Sequence, residues 1–196
     1  MLMMCLALIM ILLVGCAADP SSDTGSEPQN IMGRVDQPLP ADGSSDGYPS
    51  ASLEVAGAVI YLAYDDQYVY VHVEAEVEGW IAVGFNQRSA GMNGANMIIG
   101  YFSENDTTAF RDDVGRGHSH SEAGVSAVDR FHLIRSGGKT VFEFSYPVVF
   151  PSGEGYKVEE IIPGETYSLI VAMHRNSDNI GTQHSVRGAA NFQVQP

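Results

Sequence analysis

From residue 53 onward the chain is cut into short apolar segments by Gly, Pro, Asn and Asp, and no stretch sustains the 3.6-residue period of an amphipathic helix. Residues 58–64 and 68–73 flank Asp65-Asp66-Gln67, and in the second segment Val69, Val71 and Val73 alternate with Tyr68, Tyr70 and His72. Alternation with period two on both sides of a polar turn predicts a hairpin. Further strands are predicted over 80–85, 96–102, 108–112, 130–135, 140–146, 167–174 and 189–194, with Ser136-Gly137-Gly138-Lys139 as the turn between two of them. Eight or nine such strands, with no helix between them, predict one all-β domain over residues 53–196: an antiparallel, immunoglobulin-like β-sandwich.

Residues 1–15 are almost wholly apolar, carry no charged side chain and lead through Leu13-Val14-Gly15 to Cys16. That run is short of the ~20 residues that cross a bilayer as a helix and suits the ~7–15-residue apolar core of a signal peptide. Leu-Val-Gly-Cys resembles the lipobox of bacterial lipoproteins. The resemblance implies a signal peptide over 1–15, cleavage before Cys16 and lipidation of Cys16, which anchors the chain to the extracytoplasmic side of the cell envelope. Ala17, where an Asp would favour inner-membrane retention, points to the outer membrane where the organism has one. Residues 16–52 are rich in Ser, Gly, Pro and Asp, a composition that buries too little apolar area to offset its ordering entropy. They are expected to be a flexible tether.

Cysteine usage narrows the chemistry. Cys5 lies in the signal segment and Cys16 carries the lipid, so the expected mature domain has no free thiol. Disulfides, zinc–thiolate sites, iron–sulfur clusters and thioether-linked haem are thereby excluded within it. The net charge of −14, from 24 acidic and 10 scattered basic residues, excludes nucleic-acid binding, which needs clustered cations. An acidic surface instead favours encounter with a basic partner, such as a redox protein of the envelope. The sequence contains no glycine-rich phosphate loop and no His-Glu-x-x-His helix, and the expectation is an electron-transfer or binding protein, not an enzyme.

Three blocks carry the functional signal: Gly79-Trp80-Ile81-Ala82-Val83-Gly84-Phe85, Gly91-Met92-Asn93-Gly94-Ala95-Asn96-Met97-Ile98-Ile99-Gly100-Tyr101, and Gln183-His184-Ser185-Val186-Arg187-Gly188. Together they offer a thioether and an imidazole in a β-rich domain with no cysteine to hold a cofactor covalently. The blocks resemble those of DOMON domains, and the resemblance runs over roughly residues 51–194. In the haem-binding members of that family the iron sits between a Met after the Trp-containing strand and a His near the carboxyl end. The resemblance therefore implies a non-covalent haem b with Met92 and His184 as axial iron ligands. Thioether–imidazole ligation raises the reduction potential, and with both axial positions filled such an iron passes single electrons and does not activate oxygen.

Other residues carry paired readings. Trp80, Phe85 and Tyr101 are core or pocket wall, and Met97 is core filler. Gly94 and Gly188 allow close backbone approach or make turns. Arg187 neutralises a haem propionate or makes a surface ion pair. His174 is the competing imidazole. His118 and His120, two apart, would share a strand face and bind copper or zinc with His132 or Glu122. The alternative to haem is a carbohydrate or small-ligand pocket between the sheets, with Trp80 and Tyr101 as aromatic platforms. A third reading is an adhesion or structural role.

Overall fold

The computed structural model describes residues 30–49, 52–86 and 91–196. The signal segment over 1–15 and the lipidation site Cys16 lie outside the described residues. The described chain is all-β, and its strands in order are β1 (Ile31–Arg34), β2 (Leu53–Val55), β3 (Ala58–Tyr64), β4 (Tyr68–Ala75), β5 (Ile81–Asn86) and β6 (Asn96–Phe102), followed by β7 (Thr108–Arg116), β8 (Ser119–Glu122), β9 (Arg130–Ser136), β10 (Lys139–Pro147), β11 (Thr166–Met173) and β12 (Val186–Val194).

One sheet runs β8-β7-β6-β5-β11-β12 and the other β2-β3-β4-β10-β9, every pairing within each being antiparallel. Strand β1 joins them. Its first half pairs with β12 (Ile31 with Gln193, Met32 with Val194) and its second half with β3 (Gly33 with Ala63, Arg34 with Tyr64), both in parallel. The expected antiparallel sandwich thus gains two short parallel seams. Residues 31–34, expected in the tether, are instead a strand: Met32 and Gly33 are buried in the sheet, and the four residues of β1 hold their place because both neighbours supply backbone partners.

Between the sheets lies the core. Val69, Val71 and Val73 of β4 face Ile81, Val83 and Phe85 of β5, with Phe142 and Phe144 of β10 and Leu169 and Val171 of β11 filling the layer. Phe142 lies so close to β6 that a Cβ added at Gly100 would stand 2.7 Å from its ring.

Residues 35–49 cover the outer face of the second sheet. Leu39 packs with Ala63 and Tyr70, and Glu143 accepts hydrogen bonds from the Gly43 N–H at 2.8 Å and the Tyr48 hydroxyl at 3.2 Å. His72, fully buried, lies 3.1 Å from Glu74 and 3.5 Å from Glu143. Both carboxylates raise its pKa against the opposing effect of burial. Gly43-Ser44-Ser45-Asp46-Gly47 in this segment has the Gly-x-Ser-x-Gly spacing of a hydrolase elbow. Here it forms a polar turn with no following helix, in which the Ser45 carbonyl accepts from the Tyr48 N–H.

Asp112 of β7 points into the core, where it accepts from the Ala127 N–H at 3.1 Å and the Tyr156 hydroxyl at 3.3 Å. Burial outweighs these bonds and pushes its pKa up to about 6. A carboxyl raised in the folded state costs nothing below its unfolded value of about 4, and destabilises the fold progressively as pH rises through 6. Asp112→Asn is therefore expected to flatten the stability profile between about pH 4 and 6, a span worth on the order of 2–3 kcal/mol. Denaturant titrations across that range measure it.

Candidate functional site

The outer face of the first sheet, turned away from the core, is paved with small and apolar residues. Ile99 of β6, Ala82 of β5, Ala172 of β11 and Arg187 of β12 lie directly opposite one another in a row across four strands. The next row runs Met97, Gly84, Ile170 and Ala189. Opposed residues on neighbouring strands project to one face, so the two alanines and Gly84 leave a trough between bulkier neighbours. A pocket of about 50 Å³ stands on this floor. Trp80 and Ile180 form its apolar walls, and Met92, Met97, His120 and His184 bring sulfur and imidazole to it.

Two loops carry the expected ligands. In the first, the Met92 carbonyl accepts from the Ala95 N–H at 2.9 Å, closing a turn with Gly94 at a φ of +78°. The turn is sewn to β7: the Gly94 N–H donates to the Gly115 carbonyl at 2.8 Å, and the Gly115 N–H to the Ala95 carbonyl at 2.9 Å. A Cβ at Gly115 would stand 1.8 Å from the Met92 carbonyl oxygen and 3.0 Å from Met92 Cγ. Only glycine leaves room for Met92 to lie over this strand.

The second loop, residues 174–185, is seated in the same way at Gly79, where a Cβ would meet the carbonyl oxygens of His174 at 2.3 Å and Ser177 at 2.5 Å. Trp80 exchanges backbone hydrogen bonds with it, its N–H donating to Ser177 at 3.1 Å and its carbonyl accepting from His174 at 3.0 Å. Midway, Asp178 accepts two hydrogen bonds from Arg135 at 3.0 Å each and one from the Phe102 N–H at 3.1 Å. The arginine also lies over the Phe102 ring, 4.5 Å from its centre. This fork geometry fixes the loop's direction as well as its charge, and His184 follows from there to the pocket.

Met92, His184 and Trp80 thus meet in one pocket. Met97, expected in the core, lines it as well, because its strand's other face holds the core. Three expectations are corrected. Gly94 does not reach the pocket: its turn backs onto Lys157, whose Cγ would lie 2.5 Å from an added Cβ. Tyr101 packs against the cluster of Trp80, Ala82 and Ile99 from outside the lining. The pocket lies on the outer face of one sheet, not between the sheets. Arg187 is exposed at the end of the Ala172 row, with no carboxylate partner among the described residues. Gly188 faces Val55 and Ala56, on the opposite side of β12 from the pocket.

Of the other histidines, His174 is outside the lining. Its ring lies 6.5 Å from that of Trp80 and its Nδ1 accepts from the Asn176 N–H. The His118–His120 metal pair does not form. His118 is in the β7–β8 turn, His132 is on the other sheet beside Gly43, and among the described residues no group of three or more His, Cys, Asp or Glu side chains is placed to hold a metal ion.

The model of the DOMON domain family matches residues 58–174, more than half of the chain. The chain belongs to the DOMON domain family. The matched span contains Met92 and ends before His184. No curated protein matches. Among solved structures, the cytochrome domain of Myriococcum thermophilum cellobiose dehydrogenase aligns at 11% identity over 73% of this chain and 80% of its own, with a TM-score of 0.51. A family 9 carbohydrate-binding module from Caldicellulosiruptor kristjanssonii, in complex with cellotriose, aligns at 8% identity over 85% and 93%, with a TM-score of 0.52. The cytochrome b domain of pyranose dehydrogenase from Coprinopsis cinerea aligns at 13% identity over 70% and 76%, with a TM-score of 0.49. The first two likenesses show the fold that this DOMON domain shares with both kinds of protein.

His120 and Gly115 are the site residues that sequence reading assigns elsewhere or passes over. The His120 Nδ1 is bonded to Asp113, which is fully buried and also takes the Arg111 Nε–H at 2.6 Å. Burial alone would raise the Asp113 carboxyl, but His120 and Arg111 together hold it below the usual carboxylate range. Gly115→Ala is expected to destabilise the DOMON fold by about 1–3 kcal/mol, as overpacking does, and to displace Met92. Amide exchange measures both, with protection lost first in residues 91–95 and retained in β4 and β10.

Proposed function

We propose that this chain is a lipid-anchored, extracytoplasmic b-type haem protein that passes single electrons in the cell envelope, with Met92 and His184 as the axial ligands. The observation that carries the reading is that these two residues, one on the β5–β6 loop and one on the β11–β12 loop, line the same pocket. The shared fold with a cellobiose dehydrogenase cytochrome domain supports it. The donor set suits iron in a macrocycle: one soft thioether, one imidazole and a largely apolar floor.

A haem held there supplies a one-electron couple whose potential thioether ligation raises. The chain's own residues do the rest. Trp80, Ile99, Ala82 and Ala172 keep water from the site and lower its dielectric, and the Trp80 Nε1–H, buried without an acceptor among the described residues, is free to donate to a bound group. Arg187, at the open end of the Ala172 row, is suited to a propionate. At about 50 Å³ the pocket is smaller than the 300 Å³ or more usual for organic ligands. A macrocycle would need the 91–95 and 174–185 loops to stand further apart than they do here. Cys16, through its lipid, would hold the domain to the membrane. A basic redox protein of the envelope is the partner that the acidic surface suits.

The carbohydrate alternative draws on the family 9 module. The pocket favours it less, since among the described residues its lining presents no carboxylate or carboxamide to bind hydroxyl groups. The test is the visible spectrum of residues 17–196, produced with haem supply, before and after reduction. A sharp reduced α-band that is lost in His184→Ala and kept in His174→Ala is the expected result. A colourless protein that also takes up no added hemin would overturn the reading and turn attention to glycans.

A further inference from the structure

We propose that His120 is a reserve axial ligand, standing on Met92's side of the pocket and taking the iron when the thioether is lost. The inference rests on the haem reading above.

Strand register places His120 on that side. It lies directly opposite Gly115 in the β7–β8 pair, so the two project to the same face of the sheet. Gly115 is the position on which Met92 rests, its absent Cβ 3.0 Å from Met92 Cγ. His120 is therefore Met92's neighbour, and both line the pocket. His184 comes from the other end of the floor, on the loop that leads into β12. An iron that lost Met92 would have an imidazole on each side.

The bonding of His120 is that of a ligand. Its Nδ1 faces the Asp113 carboxylate, with the Arg111 Nη2 3.3 Å away, and the tautomer that donates from Nδ1 to Asp113 leaves Nε2 with its lone pair. A carboxylate behind the non-coordinating nitrogen is the arrangement that orients metal-bound histidines and raises their basicity. Asp113 does not need His120 for charge balance, because Arg111 already pairs with it through two N–H groups. His184, by contrast, has no hydrogen-bond partner among the described residues. The consequence is a site that stays six-coordinate and closed to oxygen without its thioether, at a lower potential, since Met/His ligation is what raises it.

The experiment reads ferric absorption, electron paramagnetic resonance and midpoint potential in haem-loaded wild type, Met92→Leu, Met92→Leu/His120→Ala and Met92→Leu/His174→Ala. Met92→Ala is carried in parallel, since it leaves the vacated position open and gives the same readout if the Leu variant fails to fold. Met92→Leu is expected to be low-spin with a bis-imidazole signature and a lowered potential. Adding His120→Ala should convert it to high-spin, and adding His174→Ala should not. A high-spin Met92→Leu beside a low-spin wild type overturns this inference alone, as does a low-spin signal that survives loss of His120. A wild type that takes up no haem overturns the haem reading and this inference with it.

Discussion

Direct contact between loop backbone and sheet, at positions without a side chain, is the constraint on which the site depends. Gly115 lets the Met92 carbonyl come down onto β7, and Gly79 lets the carbonyls of His174 and Ser177 come down onto the start of β5. Each contact is reinforced by backbone hydrogen bonds of 2.8 to 3.1 Å. With a Cβ at either glycine, both the contact and its hydrogen bonds would be disrupted. The loops lie at opposite ends of a floor of Ala82, Ala172 and Ile99, and the space between them is the pocket.

Electrostatics reinforces the same geometry in a chain with far more acid than base. Asp178 is forked by Arg135 and pins the 174–185 loop, while Asp113 is held by Arg111 and His120 beside the 91–95 loop. Behind the other sheet, Glu143 ties down residues 43 and 48 next to buried His72. Removing Arg111 would leave the buried Asp113 charge without its cation, which costs more than the intact pair contributes. Asp112 differs: burial raises its pKa, and among the described residues no cation offsets it.

The fold was legible wherever a strand had one face in the core. All nine predicted segments are strands, because the Val69, Val71, Val73 alternation and its counterparts record burial directly. What escaped was β1, β2 and β8. Ser119–Glu122 has no apolar residue at all, and Ile31–Arg34 sits in Ser- and Pro-rich surroundings; both are strands because distant neighbours complete their backbone hydrogen bonds. In the site, Met92, His184 and Trp80 were legible from the family resemblance. Met97 was not, because alternation marks two faces without saying which one holds a pocket. His120 and Gly115 depend on the register between β7 and β8 and on a contact across the β6–β7 hairpin, which no local pattern records.

Iron K-edge X-ray absorption of the reconstituted ferric protein addresses the central claim most directly, because it reads the atoms bound to iron. A single sulfur scatterer beside imidazole nitrogen, lost when Met92 is changed to Leu, is what this account requires. An iron shell of nitrogen alone in the wild type would contradict it.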